Sequence, residues 1–263
     1  MIPARAGVER NTKIVTARKH KNSGSYFDLQ HQDQHLYKPL METKDIAARI
    51  DHTLLKPDST TEKVKALCLE AAENRFAAVC VPPYFVTQAR QFLEDSRVKL
   101  ATVIGFPLGY THSLIKVEEA KRAMEDGADE LDVVMNLAAF FSGNDKDVLK
   151  EIQSITQLAH LKSKQVKWII ETGLLSANEI RNACSIAIKA EVDYVKTSTG
   201  FSGGGATVEV VELLRSLLPK KISIKASGGI KSRQQAEALI SAGADRIGTS
   251  SSIQIVSEPV TTI

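Results

Sequence analysis

The chain has 263 residues, 43% apolar and 25% charged, the balance of a globular protein with enough apolar material for a sizeable core. Residues 1–40 carry seven Lys and Arg against three Asp and Glu, and the remainder 27 against 28, so the net charge of +3 leaves no basic face on the body for nucleic acid. No run approaches the ~18 apolar residues that span a membrane, the N-terminus lacks the apolar stretch of a secretory signal, and Cys68, Cys80 and Cys184, odd in number and without CxxC spacing, read as reduced thiols of a cytoplasmic protein.

Residues 1–44 are polar, rich in Lys, Arg, His and Gln, and without apolar periodicity. They read as a disordered extension or leader ahead of a single domain at 45–263. Arg5, Arg10 and Arg18, with few acids among them, leave an organelle transit peptide open as the alternative.

From residue 45, short β-branched runs recur at Ile50–Leu54, Ala77–Val81, Leu100–Gly105, Glu130–Met135, Lys167–Thr172, Asp193–Thr197, Ile222–Ala226 and Asp245–Gly248. Most are almost continuously apolar, as strands covered on both faces are. Helical patterns lie between them. Val64, Leu67, Cys68, Ala71 and Ala72 share one face at 3.6-residue spacing, with Ser59 and Glu62 as a capping box at the start. Ser176 with Glu179, and Ser232 with Gln235, repeat that signal. Ile180, Ala183, Cys184, Ala187 and Ile188 form a second apolar face, and Ala236, Leu239 and Ile240 a third, which Gly243 is placed to end.

Eight strands alternating with helices predict a parallel sheet, and their number over about 215 residues predicts an α/β fold of the (β/α)8 TIM-barrel type. A doubly wound open sheet is the alternative, weakened because no GxGxxG follows the first strand. Only twelve residues follow Ser251, so the eighth helix must be short.

In a barrel, catalytic side chains sit at the C-terminal ends of strands. Three ionisable residues there interrupt apolar runs: Asp132, Lys196 and Lys225. A buried charge is costly unless paired, so a structural ion pair or lysines snorkelling at the rim are the bland readings of any one of them. Together they make coherent chemistry. Lys196 and Lys225 belong to adjacent strands, where like charge and desolvation each disfavour the ammonium form. One of them is then a neutral amine near pH 7, able to attack a carbonyl and form an iminium ion, with Asp132 moving protons directly or through a water.

Glycine clusters follow three consecutive strands: Thr199–Gly200–Phe201–Ser202–Gly203–Gly204–Gly205, Ser227–Gly228–Gly229, and Gly248–Thr249–Ser250–Ser251. Such loops let backbone N–H groups approach an anion, and the loops after strands seven and eight are the usual phosphate seat of barrels. No Walker A pattern, HExxH or Cys/His cluster is present, so neither a nucleoside triphosphate nor a metal is expected, and no cofactor. Cys80 ends the second strand and reads as core or as pocket lining.

Several motifs resemble those of the deoxyribose-phosphate aldolases. They are Ile50–Asp51–His52–Thr53–Leu54–Leu55–Lys56–Pro57, Val79–Cys80–Val81–Pro82–Pro83, Val103–Ile104–Gly105–Phe106–Pro107–Leu108–Gly109 and Glu130–Leu131–Asp132–Val133–Val134–Met135–Asn136, then Ile169–Ile170–Glu171–Thr172, Val195–Lys196–Thr197–Ser198–Thr199–Gly200–Phe201 and Lys225–Ala226–Ser227–Gly228–Gly229–Ile230. The resemblance runs in order from about residue 45 to 252. It implies a cofactor-free class I aldolase that reversibly cleaves 2-deoxy-D-ribose 5-phosphate to glyceraldehyde 3-phosphate and acetaldehyde. It implies a Schiff base on Lys196, a pKa-perturbing Lys225, proton relay at Asp132 and a supporting electrostatic role for Lys167. Asp51, Thr53 and Cys80 match pocket residues, and Gly200, Gly228, Gly229, Gly248, Ser250 and Ser251 match the phosphate site. Phe201 stands where some members carry a lysine. The resemblance also makes a homodimer plausible and leaves sugar phosphate and aldehydes as the partners. A Schiff-base aldolase for another phosphorylated sugar, and a non-catalytic sugar-phosphate-binding barrel, remain the alternatives.

Overall fold

The structure, a computed structural model, describes residues 41–259. Among the described residues there are eight strands: β1 Ile50–Thr53, β2 Ala78–Val81, β3 Lys99–Ile104, β4 Glu130–Val134, β5 Gln165–Ile169, β6 Tyr194–Lys196, β7 Ser223–Ser227 and β8 Arg246–Thr249. All pair in parallel with their sequence neighbours, and β1 pairs with β8, which closes the barrel. The helices are α1 Thr43–Ala47, α2 Thr61–Asn74, α3 Val86–Phe92, α4 Ser113–Glu125, α5 Leu137–Phe141, α6 Asp145–Leu161, α7 Ala177–Ala190, α8 Val208–Leu217, α9 Arg233–Ser241 and α10 Ser252–Ser257. The TIM-barrel expectation holds, and α10 is as short as the remaining sequence required. The expectation for residues 1–44 falls, up to position 40, outside the described residues.

The larger hydrophobic core lies between sheet and helices. Leu131, Val133, Trp168, Val195, Ile224 and Ile247 point outward from the strands and pack with buried helical residues such as Val64, Ile152, Ile180 and Leu239 in one continuous cluster. Because strand side chains alternate between faces, the residues between them point into the barrel. There β4 to β8 carry mostly polar and charged groups, so these strands alternate instead of being continuously apolar. The sequence singles out Asp132, Lys196 and Lys225 but not the alternation they belong to, because each of these strands is only three to five residues long. On the β2–β3 side the interior is apolar, with Cys80, Ala101 and Val103 packed against Leu55 and Phe106.

Local signals explain most helix ends. The capping boxes at Ser176/Glu179 and Ser232/Gln235 both form. The one expected at Ser59 does not. Thr60 caps α2 instead, accepting from the Lys63 amide, while the Ser59 hydroxyl donates to the Lys56 carbonyl. Val64, Leu67, Cys68 and Ala71 are buried on α2, but Ala72 falls beyond the edge of the stripe and is exposed. Ile188 is likewise exposed on α7, whose buried face runs through Ile186 and Ala190 instead. Gly243 follows α9 at φ +115°, a conformation that residues with a Cβ avoid.

Candidate active site

The barrel register decides which charged side chains meet. Asp132 is the partner of Lys167 across β4 and β5, Lys196 of Lys225 across β6 and β7, and Lys225 of Arg246 across β7 and β8. Their side chains converge inside the barrel. Asp132 Oδ2 accepts from Lys196 Nζ at 2.8 Å and from Lys225 Nζ at 2.7 Å, and Asp132 Oδ1 accepts from Lys167 Nζ at 2.9 Å. Lys225 Nζ also lies 2.5 Å from Asp51 Oδ2, and Lys167 Nζ lies 2.5 Å from Glu130 Oε2. At the base, Arg246 donates to Asp51 through one guanidinium nitrogen and to Glu130 Oε1 through the other, at 2.8 Å for the latter. All but Arg246 of these seven residues are at most 3% exposed.

The environment sorts the two lysines. Burial, with the charge of Lys225 beside it, pulls Lys196 below the ordinary lysine value despite its contact with Asp132. Burial pulls on Lys225 too, but Asp132 and Asp51 outweigh it and hold that group above the ordinary value as an ammonium. Asp132 is desolvated, yet Lys167, Lys196 and Lys225 hold its carboxyl well below the usual range. Burial and the Asp132 charge push the Cys80 thiol up to about 11, so it is protonated and inert as a nucleophile near neutrality.

Lys196 forms part of the wall of a cavity of about 350 Å³ at the C-terminal mouth of the barrel. Thr53, Gly200, Gly228, Gly229, Gly248, Ser250 and Ser251, all singled out in the sequence, line it as well. Asp51, Cys80, Asp132, Lys167 and Lys225 lie outside that lining. The cavity walls need glycine at particular points. A Cβ on Gly205 would stand 2.3 Å from the Gly228 carbonyl oxygen, so the loops after β6 and β7 can cross only as bare backbone. A Cβ on Gly248 would stand 2.9 Å from Lys225 Cε, so this glycine also makes room for the lysine.

Several residues escaped the sequence reading. Lys56 and Lys231, both exposed, stand on the cavity rim, while Thr199 and Ser227, already named in the glycine-rich loops, form part of its wall. Lys231 follows Gly228–Gly229–Ile230 directly, a signal available in the sequence. Glu130 and Arg246 lie two residues before Asp132 and Gly248, hence on the same strand faces. Glu171, at φ +55°, is fully buried and accepts from the Thr199 amide and hydroxyl, which ties the end of β5 to the loop carrying Gly200. Phe201 packs edge-to-face on Phe106, with ring centroids 5.1 Å apart. Among the described residues no group of three His, Cys, Asp or Glu is arranged to hold a metal ion, and no helix is long and apolar enough to cross a membrane.

Comparison with known proteins finds aldolases of similar sequence and fold. A deoxyribose-phosphate aldolase of Caldicellulosiruptor saccharolyticus is 51% identical over 219 residues, 83% of this chain and 100% of the relative. One from Thermococcus gammatolerans is 50% identical over 214 residues, 81% of this chain and 95% of the relative. Among solved structures, the tetrameric deoxyribose phosphate aldolase of Aeropyrum pernix superposes with a TM-score of 0.78 at 38% identity, covering 82% of this chain and 91% of that one. The model of the DeoC/LacD family aldolases matches residues 46–254, so the chain belongs to that family of enzymes.

Proposed function

We propose that this enzyme cleaves 2-deoxy-D-ribose 5-phosphate reversibly to D-glyceraldehyde 3-phosphate and acetaldehyde through a Schiff base on Lys196. The carrying observation is the pair Lys196 and Lys225 on one oxygen of Asp132, with Lys196 alone of the two forming part of the cavity wall. The unprotonated Lys196 amine attacks the C1 aldehyde. Asp132, held ionised, orients the amine and passes its proton to the alkoxide oxygen as the C–N bond forms, and the Lys225 ammonium supplies the second proton with which the carbinolamine hydroxyl leaves as water. The iminium then draws in the electron pair of the C2–C3 bond as the C3 hydroxyl loses its proton through Asp132 and a water. Glyceraldehyde 3-phosphate departs, the enamine takes a proton at C2, and hydrolysis frees acetaldehyde and Lys196. Lys167 and Asp51 support Asp132 and Lys225 electrostatically, Thr53 lines the pocket, and Cys80 packs outside its lining with Ala101 and Val103.

Gly200, Gly228, Gly229, Gly248, Ser250 and Ser251 form the proposed phosphate seat. Because α10 has only six residues, its dipole is small, and the rim ammonium groups of Lys56 and Lys231 supply the charge that Phe201 does not. The catalytic body is residues 45–263, acting in the cytoplasm as a homodimer. The three cysteines are free and buried, which suits a reducing compartment. Sedimentation of the full chain separates the dimer from the tetramer described for the Aeropyrum pernix relative. Borohydride trapping with limiting 2-deoxyribose 5-phosphate, followed by peptide mapping, tests the reaction. An adduct on Lys196, absent from Lys196→Leu, is expected. Adducts scattered over surface lysines, or none, would bring the binding-barrel alternative forward.

A further inference from the structure

Barrel interiors are ordinarily filled by branched apolar side chains. This one holds a closed cycle of opposite charges. Asp51, Glu130 and Asp132 supply three carboxylates, while Lys167, Lys225 and Arg246 supply three cations. Every one of them contacts at least two members of the other sign. Arg246 bridges Asp51 to Glu130, Lys167 bridges Glu130 to Asp132, and Lys225 bridges Asp132 back to Asp51. Lys196 is the seventh group and contacts only Asp132 within the cycle.

We infer that Arg246 and Glu130, which lie beneath the cavity and do not line it, are positioning residues that set the protonation of Lys196, because the six other charges balance only when Lys196 is an uncharged amine. A proton on Lys196 would leave one uncompensated positive charge in a desolvated interior, where such a charge is expensive. Removing the Arg246 charge leaves one uncompensated negative charge, which a proton on Lys196 would satisfy. Removing the Glu130 charge acts in the opposite sense.

The other groups around Lys196 do not disturb the count. From β2, Cys80 faces it as a neutral thiol, its value pushed up to about 11 by burial and by Asp132. From β6 itself, burial keeps Tyr194 a neutral phenol, and its ring lies under Lys167 and Arg246 at 5.9 and 5.8 Å. The strand β3 contributes Ala101 and Val103. Above the cycle, Glu171 is bonded to Thr199, and Lys56 and Lys231 stand in solvent at the rim, where water and salt screen them.

This inference gives the Schiff-base reading its regulation and rests on it for its meaning in catalysis, but its test does not. The full-length protein is labelled with 13Cε-lysine, and the Lys196 resonance is identified by its loss in Lys196→Arg. Its titration is followed from roughly pH 5 to 11, a range that brackets perturbed lysines. Arg246→Met should raise the midpoint by about one pH unit, and Glu130→Gln should lower it by a similar amount, as expected for one charge buried nearby. Arg246→Lys should restore the wild-type midpoint, which a purely structural role would not do. Midpoints that stay put, or that move in the same direction in both variants, overturn the inference. Should Arg246→Met fail to fold, Glu130→Gln decides alone, a downward shift supporting and no shift overturning. Borohydride trapping is run in parallel. An adduct on Lys196 with unmoved midpoints sinks the charge balance and leaves the Schiff base. Opposed shifts without an adduct do the reverse.

Discussion

Lys196 and Lys225 are register partners on neighbouring strands, and their amino nitrogens reach the same oxygen of Asp132, at 2.8 and 2.7 Å. One carboxylate oxygen thus holds two amines that differ in surroundings. Lys225 has a second carboxylate, Asp51, at 2.5 Å, and Lys196 opens on the cavity. That asymmetry lowers the pKa of one amine and raises that of the other, and in the proposed mechanism it is the lowered Lys196 that attacks.

Lys225→Leu removes the like charge that helps hold Lys196 down. The sign follows directly: the value for Lys196 rises, and the fraction of neutral amine near pH 7 falls. Turnover near neutrality should drop on the order of 100-fold, and the acid limb of the kcat/KM profile should move to higher pH. The deficit should narrow as pH increases. A pH–rate profile with an unmoved acid limb would remove the electrostatic role of Lys225.

Lys56→Ala and Lys231→Ala test the rim. Each should raise KM for 2-deoxyribose 5-phosphate roughly tenfold, since one charge-assisted contact at an exposed position is lost. The kcat/KM for unphosphorylated 2-deoxyribose should change little. Equal losses on both substrates would place these lysines outside phosphate capture.

Glu171→Ala removes the carboxylate that accepts from the Thr199 amide and hydroxyl. It also leaves a non-glycine residue at φ +55°, a conformation costing about 1 kcal/mol, without the bonds that compensate for it. The loop carrying Gly200 loses its tether, so KM should rise several-fold with a smaller fall in kcat. Glu171→Gln, which keeps an acceptor, should recover part of the loss. A kcat defect without a KM change would mean that Glu171 acts on the chemistry itself.

The Lys116–Glu151 pair, 2.7 Å apart and almost wholly buried, joins α4 to α6, and Lys116 also donates to the Val134 carbonyl two residues beyond Asp132. Glu151→Ala strands a buried ammonium and should cost about 3–5 kcal/mol in denaturant unfolding. Replacing both partners, as Lys116→Met with Glu151→Leu, should cost less than the single change. The opposite order would show that the pair contributes more than its own desolvation.

How much of this was readable beforehand depended on contrast. Asp132, Lys196 and Lys225 stood out because each interrupts an apolar run. Glu130 and Arg246 did not, because they begin their strands and resemble ordinary surface residues there; only the two-residue alternation places them under Asp132 and Gly248. The fifth strand starts two residues and ends three residues earlier than expected. Ile170 extends the apolar pattern, but Glu171 turns into the left-handed region to reach Thr199 and leaves the strand. The sequence points to Ser59 as the cap, but its neighbour Thr60 takes that place through chain geometry that no local pattern records.

The depth of the charge cycle has a consequence for ionic strength. Ions in solution gather around the exposed ammonium groups of Lys56 and Lys231 but cannot enter the closed barrel floor where Asp51, Glu130 and Asp132 lie at most 1% exposed. Added salt should therefore divide the reaction into two halves. Capture of the substrate should weaken steadily as the medium becomes more concentrated, while the rate of bond cleavage in the bound complex stays where it was.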